Sequence, residues 1–220
     1  PFLDKTEVIY PPILMPEPQP EQVAAMRAEW SHEGGPIIGF AGRFVEEKRP
    51  DLLIKALEVI NEKYPNARVV FCGEYNIPYE TTWARHKALV DQYQNQLIFL
   101  GLKTDMRYMA NFYAACDVLA LPSDTECFAL VQVEAMLSGT PVVMTNIPGG
   151  RVPVQVTGMG KLANQGDSES IGEALVEVIE HREQYVKPRA EIERCFSFQE
   201  TVDQYEKYFT EFARPRREGR

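Results

Sequence analysis

The strongest constraint on the fold is an alternation, starting at residue 36, of short apolar runs with segments of helical periodicity. The runs predict strands at 37–41, 67–73, 97–101, 118–122 and 141–145, with a sixth at 158–163. Helices are predicted at 50–64, 81–93 and 105–115, from near residue 128, and at 168–185 and 198–212. Short apolar strands separated by helices predict a doubly wound, Rossmann-like α/β domain, with about six parallel strands and helices on both faces of the sheet.

Regions outside this alternation have other compositions. Residues 1–35 are predicted to be a proline-rich interdomain linker with a short helix at 21–29, because the prolines between residues 9 and 20 exclude a helix there. The Rossmann-like domain is predicted at 36–187, C-terminal helices at 188–213 and a basic tail at 214–220. For that tail, disorder is favoured over a partner-binding arm.

The charge and cysteine pattern of the chain excludes several classes of partner. A net charge of −9 argues against binding to nucleic acid or anionic lipid, and no apolar run approaches the roughly 18 residues of a membrane span. The four cysteines lack C-x-x-C spacing and are expected to be reduced core residues, which predicts a cytoplasmic location. A peripheral membrane location of a full-length protein stays open. Scattered histidines and the lack of a D-x-D pair predict no metal site.

The loop after the first predicted strand carries two cations. Ligands of doubly wound sheets bind at the carboxyl ends of the strands, where Gly42 lets backbone approach a ligand and Arg43 and Lys48 supply positive charge. This composition suits a diphosphate. An equally supported alternative is that both cations form ordinary surface ion pairs with Glu46, Glu47 or Asp51.

A second candidate segment follows the fourth predicted strand. A helix beginning near Phe128 would direct free backbone N–H groups at phosphate oxygens. Glu126 precedes this helix and Glu134 lies within it, so each carboxylate could accept hydrogen bonds from the hydroxyls of one sugar ring. The alternative for Glu134 is a solvent-facing helix residue, but its apolar neighbours indicate a largely buried helix in which a charge needs a partner.

Several motifs in order resemble a known family. They are Gly42 to Arg49, Tyr113 to Val118, Pro122 to Met136 with Glu126 and Glu134 as an E-x7-E pair, and Gly139 to Val143. Over about residues 36–187 the chain resembles the carboxy-terminal, donor-binding half of a retaining glycosyltransferase of family 4, which has the GT-B fold.

The resemblance implies a role for each matching residue. Glu126 would be the catalytic residue beside the transferred sugar, Glu134 would bind the ribose, and the donor diphosphate would lie against Gly42, Arg43 and Lys48. The sugar and phosphate would also contact Cys127, Phe128, Ala129 and Leu130, at the expected helix start. The nucleobase would contact Leu102 and Lys103. The reaction implied is hexosyl transfer from a nucleotide-sugar to a glycan, lipid or small-molecule acceptor, with retention of configuration, without a cofactor and without a required metal.

Three departures from the family pattern matter. Glu126-Cys127-Phe128-Ala129 stands where the family commonly has E-G-F-G, which puts the usual sugar geometry in doubt. Residues 72–75 lack the usual G-x-G-P turn. After the fifth predicted strand, residues 146–151 keep a glycine pair but lack an acidic residue, and Arg151 is either a ligand contact or part of an ordinary turn.

Only the donor half of the family architecture fits this chain. We therefore expect a missing N-terminal acceptor-binding domain, and a chain that binds nucleotide-sugar but turns over poorly alone. A nucleotide-sugar epimerase or phosphorylase-like enzyme and a non-catalytic nucleotide-sugar binding module are the alternatives. The sugar, nucleotide, acceptor and oligomeric state stay open.

Overall fold

A computed structural model describes residues 6–213 and contains one parallel sheet. Its six strands are β1 (Ile37–Ala41), β2 (Arg68–Cys72), β3 (Leu97–Gly101), β4 (Val118–Leu121), β5 (Val142–Thr145) and β6 (Gly160–Ala163). Their order is β3-β2-β1-β4-β5-β6, and every neighbouring pair is parallel. This confirms the predicted doubly wound fold, whose strand order reverses direction between β1 and β4.

Helices cover both faces of the sheet. They are α1 (Pro20–Trp30), α2 (Pro50–Lys55), α3 (Leu57–Lys63), α4 (Thr82–Arg85), α5 (Lys87–Gln92), α6 (Met106–Ala115), α7 (Leu130–Leu137), α8 (Val152–Thr157), α9 (Ser168–Glu180), α10 (Arg182–Tyr185), α11 (Arg189–Cys195) and α12 (Phe198–Ala213). The helices predicted at 50–64, 81–93 and 168–185 are each divided in two, at Ala56, His86 and His181.

Alternate strand residues supply two separate cores. In β1, Ile37 packs into the core beneath α6 and α7, whereas its neighbour Ile38 packs into the core beneath α2, α3 and α9. All five residues of β1 are buried. The strand is therefore apolar throughout instead of alternating with polar residues, as expected for a strand covered on both faces.

The proline-rich segment lacks helix and strand over residues 6–19, as predicted, but it packs against the domain. Met15 is buried, and the ring of Tyr10 lies 5.7 Å from that of Phe128 and 5.5 Å from that of Phe196. Arg189 forms an ion pair with Glu17. The basic tail predicted at 214–220 lies outside the described residues.

The cysteines fit one part of the prediction and contradict another. All four are free thiols, and Cys72 and Cys116 are buried core residues as predicted. Cys127 is exposed, because it lies in the loop between β4 and α7 and not in a strand, so its assignment to the core was wrong. Within residues 6–213, no helix has the length and apolar character to cross a bilayer, and no cluster of acidic, histidine and cysteine side chains could hold a metal.

Candidate functional site

A cavity of about 320 Å³ opens at the carboxyl edge of the sheet. It collects residues from the loops after β1, β2 and β3 and from α7. Its lining includes five predicted ligand residues, Gly42, Arg43, Leu102, Lys103 and Glu134, and an apolar part that contains Met15, Met106, Met109 and Val131. The structure therefore brings together residues assigned to diphosphate, nucleobase and ribose, although they are far apart in sequence.

Glycine is required where two loops of this cavity meet. A Cβ atom at Gly73 would lie 2.0 Å from the backbone oxygen of Gly42, so no other residue fits without a shift of backbone. The residues after β2 lack the G-x-G-P turn of the family but keep this glycine. The close approach holds the loop after β1 against the loop after β2.

Lys48 and Glu126 lie outside the cavity lining and bind each other. The Lys48 Nζ is 2.6 Å from Glu126 Oε1, and the Ser123 hydroxyl donates to the same oxygen at 2.9 Å. The Glu126 side chain is only 10% exposed, so a cation partner offsets the cost of burying its charge. Lys48 thus does not pair with Glu46, Glu47 or Asp51 as the alternative interpretation required.

Arg43, in contrast, forms the surface ion pair that the alternative interpretation predicted. Its guanidinium lies 3.5 Å from Glu47 in an exposed pair, while the residue also lines the cavity. Exposed pairs of this kind contribute about 0–1 kcal/mol, so the contact leaves Arg43 available to a stronger anion.

An ion-pair network that the sequence did not predict fixes the loop of Glu126. Arg49 donates to Asp51 and, at 3.0 Å, to Asp124, while the Asp124 backbone N–H donates to Glu47 O at 2.9 Å. Burial alone would raise the pKa of Asp51, but the hydrogen bond and charge of Arg49 outweigh it, so that pKa lies below its ordinary value. The Arg-Pro-Asp sequence at the start of α2 could have indicated the pair between Arg49 and Asp51, but it contains no information about the distant partner Asp124.

Glu134 has a neutral partner. The Tyr113 hydroxyl donates to Glu134 Oε2 at 2.7 Å, and among residues 6–213 no cation forms an ion pair with Glu134. Tyr113 is fully buried, and burial together with the adjacent Glu134 charge raises the pKa of its phenol well above the ordinary value. The phenol therefore stays a proton donor, and the carboxylate faces the cavity with its charge uncompensated.

The helix that carries Glu134 begins later than predicted. α7 starts at Leu130, and Ala129 precedes it in the left-handed conformation, with φ 58° and ψ 74°. The start lies two residues after Phe128, which stands outside the helix with its ring packed against Tyr10 and Phe196 of the flanking segments. Cys127 is exposed beside it, so of the predicted sugar and phosphate residues only Leu130 belongs to the helix.

Of the remaining predicted residues, Leu102 and Lys103 lie at the rim of the cavity and Arg151 lies away from it. Leu102 is 60% exposed, and the Lys103 ammonium lies 5.3 Å from the centre of the Tyr108 ring, so Lys103 is held beside the cavity. The Arg151 guanidinium is 3.5 Å from the Asn146 side chain, and Arg151 is absent from the cavity lining.

The glycine pair after β5 supports the Glu126 loop. A Cβ at Gly149 would lie 2.3 Å from the backbone oxygen of Cys127, and Gly149 forms an isolated parallel bridge with Glu126. The segment continues as α8, which the sequence did not predict. These glycines therefore fix the loop that presents Glu126.

The strand order, with a cleft at its reversal point, defines a doubly wound α/β domain of the Rossmann type. The family model described as "Glycosyl transferases group 1" matches residues 23–194. The chain belongs to this glycosyltransferase family, in agreement with the sequence resemblance.

Curated relatives from several bacteria are D-inositol 3-phosphate glycosyltransferases. The Corynebacterium urealyticum protein is 32% identical over 68% of this chain and 36% of its own length. The Mycolicibacterium smegmatis protein is 33% identical over 76% of this chain and 38% of its own length. The chain thus spans less than half the length of these curated relatives.

Solved structures share the fold. Anabaena Alr3699/HepE, crystallised with UDP and glucose, matches with a TM-score of 0.81 and 23% identity over 94% of this chain and 57% of that chain. The C-terminal domain of a Francisella tularensis group 1 glycosyl transferase, LpcC, matches with a TM-score of 0.64 and 23% identity over 90% of this chain and 96% of that domain. Both likenesses support the GT-B Rossmann-like fold.

Proposed function

We propose that this chain binds the nucleotide-sugar donor of a retaining glycosyltransferase. The observation that carries the proposal is the cavity at the carboxyl edge, which combines an apolar part, cationic side chains and an uncompensated carboxylate. A nucleotide-sugar has matching parts, because its base is flat and largely apolar, its diphosphate is anionic and its ribose offers two hydroxyl donors.

The diphosphate lies between Gly42 and the two cations of the β1 loop. Arg43 lines the cavity with a weakly held partner, and Lys48 exchanges part of its interaction with Glu126 for the phosphate. Lys103 adds a third positive charge at the rim. These charges offset those of the diphosphate, so the proposal requires no metal.

The transferred sugar lies beside Glu126, and the ribose hydroxyls bind Glu134. The buried carboxylate of Glu126 is held by Lys48 and Ser123, so it offers a fixed acceptor to the sugar. Because Lys48 contacts Glu126, one cation links the sugar and diphosphate positions. The sugar is transferred with retention to an acceptor bound on a separate N-terminal domain, and this chain alone turns over poorly.

Relatives of the chain support this assignment. The curated relatives carry a glycosyltransferase name, and the structure of Alr3699/HepE was determined with UDP and glucose. The hexosyl specificity, the nucleotide and the acceptor of this chain belong to the proposal.

Titration of the 220-residue chain with UDP, GDP and ADP by calorimetry tests donor binding. We expect at least one nucleotide to bind and to raise the melting temperature by mass action. K48M should weaken that nucleotide about tenfold, since it removes a charge-assisted contact. K87M removes an exposed lysine paired with Asp91 and should leave the affinity unchanged. If no nucleoside diphosphate binds the wild-type chain, the proposal is wrong.

A further inference from the structure

Glu134 uses only one of its two carboxylate oxygens within the protein. Oε2 accepts from the Tyr113 hydroxyl, and among residues 6–213 no donor contacts Oε1. Both residues line the cavity. A neutral donor orients a carboxylate without cancelling its charge, whereas a cation would compete with a ligand for it.

Tyr113 itself is fixed by the surrounding fold. The residue is fully buried on α6, and its backbone oxygen accepts from the Thr140 hydroxyl at 2.7 Å. Thr140 follows α7, so Tyr113 contacts the α7 region both at the Glu134 carboxylate and beyond the end of the helix. The phenol ring therefore has little freedom to follow Glu134, and the carboxylate adopts the position that the phenol allows.

We infer that Tyr113 is a positioning residue that aims Glu134 Oε1 at the ribose hydroxyls and thereby sets the preference for ribonucleotides over deoxyribonucleotides. The inference rests on the proposed function and adds a residue that touches no substrate. Its distinctive consequence is that loss of the Tyr113 hydroxyl weakens recognition of the ribose and leaves recognition of diphosphate and base intact.

The test compares UDP, GDP and ADP with their 2′-deoxy forms by calorimetry, using wild-type chain, Y113F, E134A and Y113F/E134A. The wild type should prefer the ribonucleotide about tenfold, and Y113F should lose most of that preference with 2′-deoxynucleotide affinity unchanged. E134A should lose the preference, and adding Y113F to it should change nothing more, because the phenol acts through Glu134.

Y185F is the matched control. The Tyr185 hydroxyl donates to Glu177 Oε1 at 2.6 Å, which reproduces the tyrosine-glutamate pair away from the cavity. Y185F should keep the wild-type preference. Melting temperatures report whether each variant is folded. If Y113F does not fold, T140V supplies the comparison, because it removes the hydrogen bond that fixes the Tyr113 backbone and leaves the Tyr113–Glu134 pair in place, so it should lower the ribose preference, and an unchanged preference would overturn the inference.

The outcomes separate the inference from the function it rests on. A Y113F chain that keeps the wild-type ribose preference overturns the inference while donor binding stands. If Y113F weakens the binding of ribonucleotides and deoxynucleotides alike, Tyr113 is only structural and the inference is wrong. The same holds if adding Y113F to E134A weakens nucleotide binding further. If the wild-type chain binds nucleotides without preferring ribose, Glu134 does not bind the ribose. If it binds no nucleotide, the proposed function itself is wrong.

Discussion

Glu126 and Glu134 belong to one short stretch of chain, but different kinds of interaction hold their side chains. Glu126 lies in a loop and binds the ammonium of Lys48, whereas Glu134 lies on α7 and binds the neutral phenol of Tyr113. The first carboxylate is thus charge-compensated in the free protein and the second is not. An E-x7-E spacing alone does not distinguish these states, because each partner comes from a distant part of the chain.

The difference extends to the surroundings of each residue. The loop of Glu126 is joined to the β1 loop by the Arg49–Asp124 pair as well as by Lys48. The carboxylate of Glu134 is held by a helix and a buried ring. The Glu126 half of the site is therefore held by ion pairs that a charged ligand can displace, and the Glu134 half by a hydrogen bond from a neutral, buried phenol.

The largest expected effect is that of E126Q on glycosyl transfer. Gln keeps the shape of Glu but loses its charge, so its contact with a sugar in the transition state is weaker. In a form of the protein that supports transfer, we expect the rate to fall on the order of 100- to 1000-fold. Affinity for the nucleoside diphosphate should be unchanged or tighter, because Lys48 is released to the phosphate.

Steady-state transfer assays and calorimetry measure the two quantities on the same protein. The matched control is E173Q, which alters an exposed carboxylate on α9, away from the cavity. Unchanged transfer by E126Q would remove Glu126 from the catalytic role. A large loss of nucleotide affinity would instead show that its pairing with Lys48 organises the diphosphate position.

The second prediction concerns the charges that hold the Glu126 loop. Asp51 has a side chain 5% exposed that pairs with Arg49 and Lys55, and its pKa is lowered in the folded chain. D51N should destabilise the chain by about 2 kcal/mol at pH 7, a fall in melting temperature of roughly 4–8 °C. Calorimetric or fluorescence melting measures this.

The sign of the pH dependence follows from the lowered pKa. The Asp51 contribution is complete above the unfolded pKa of about 4 and is lost as pH falls through the lower folded pKa, so D51N should flatten the acid side of the stability profile, below about pH 5. D91N, in the exposed Lys87–Asp91 pair, should change stability by less than about 0.5 kcal/mol. A D51N profile as steep as the wild type would show that Asp51 does not stabilise the loop.

Sequence reasoning succeeded where local pattern decides the structure. Strands β1 and β3 have the predicted bounds, because a continuous apolar run between turn residues leaves few other folds available. The cavity was also anticipated in part, since parallel strands direct all their following loops to one edge. Whether the predicted site residues bind a ligand stays a prediction.

The errors arose where distant contacts decide. Phe128 fits the apolar periodicity of a helix, yet it lies before α7 and packs against Tyr10 and Phe196, which are far from it in sequence. Likewise the partners of Lys48 and Glu134, from elements that only the fold brings together, have no local signal. Propensity and spacing contain no information about such tertiary contacts, so the helix start and both carboxylate environments had to come from the structure.

The smallest expected effect concerns Ala129, where the Glu126 loop passes into the helix of Glu134. Ala129 has φ 58°, a left-handed conformation that costs a residue with a side chain about 1–2 kcal/mol and glycine much less. Replacing Ala129 by glycine relieves most of this cost, but the greater conformational freedom of glycine in the unfolded chain offsets about 0.4–1 kcal/mol of the stability gained. A129G should therefore stabilise the chain by roughly 0.5–1 kcal/mol and raise its melting temperature by roughly 1–4 °C.

A135G is the matched control, because Ala135 is a buried residue inside α7. There glycine should lower the stability by at least about 1 kcal/mol, so the two alanine-to-glycine changes differ in sign. Thermal melting compares them, and a lower melting temperature for A129G would mean that Ala129 is not strained. Nucleotide affinity should stay within about twofold of wild type in A129G, since glycine adopts the same backbone conformation and leaves Glu126 and Glu134 with their separate partners.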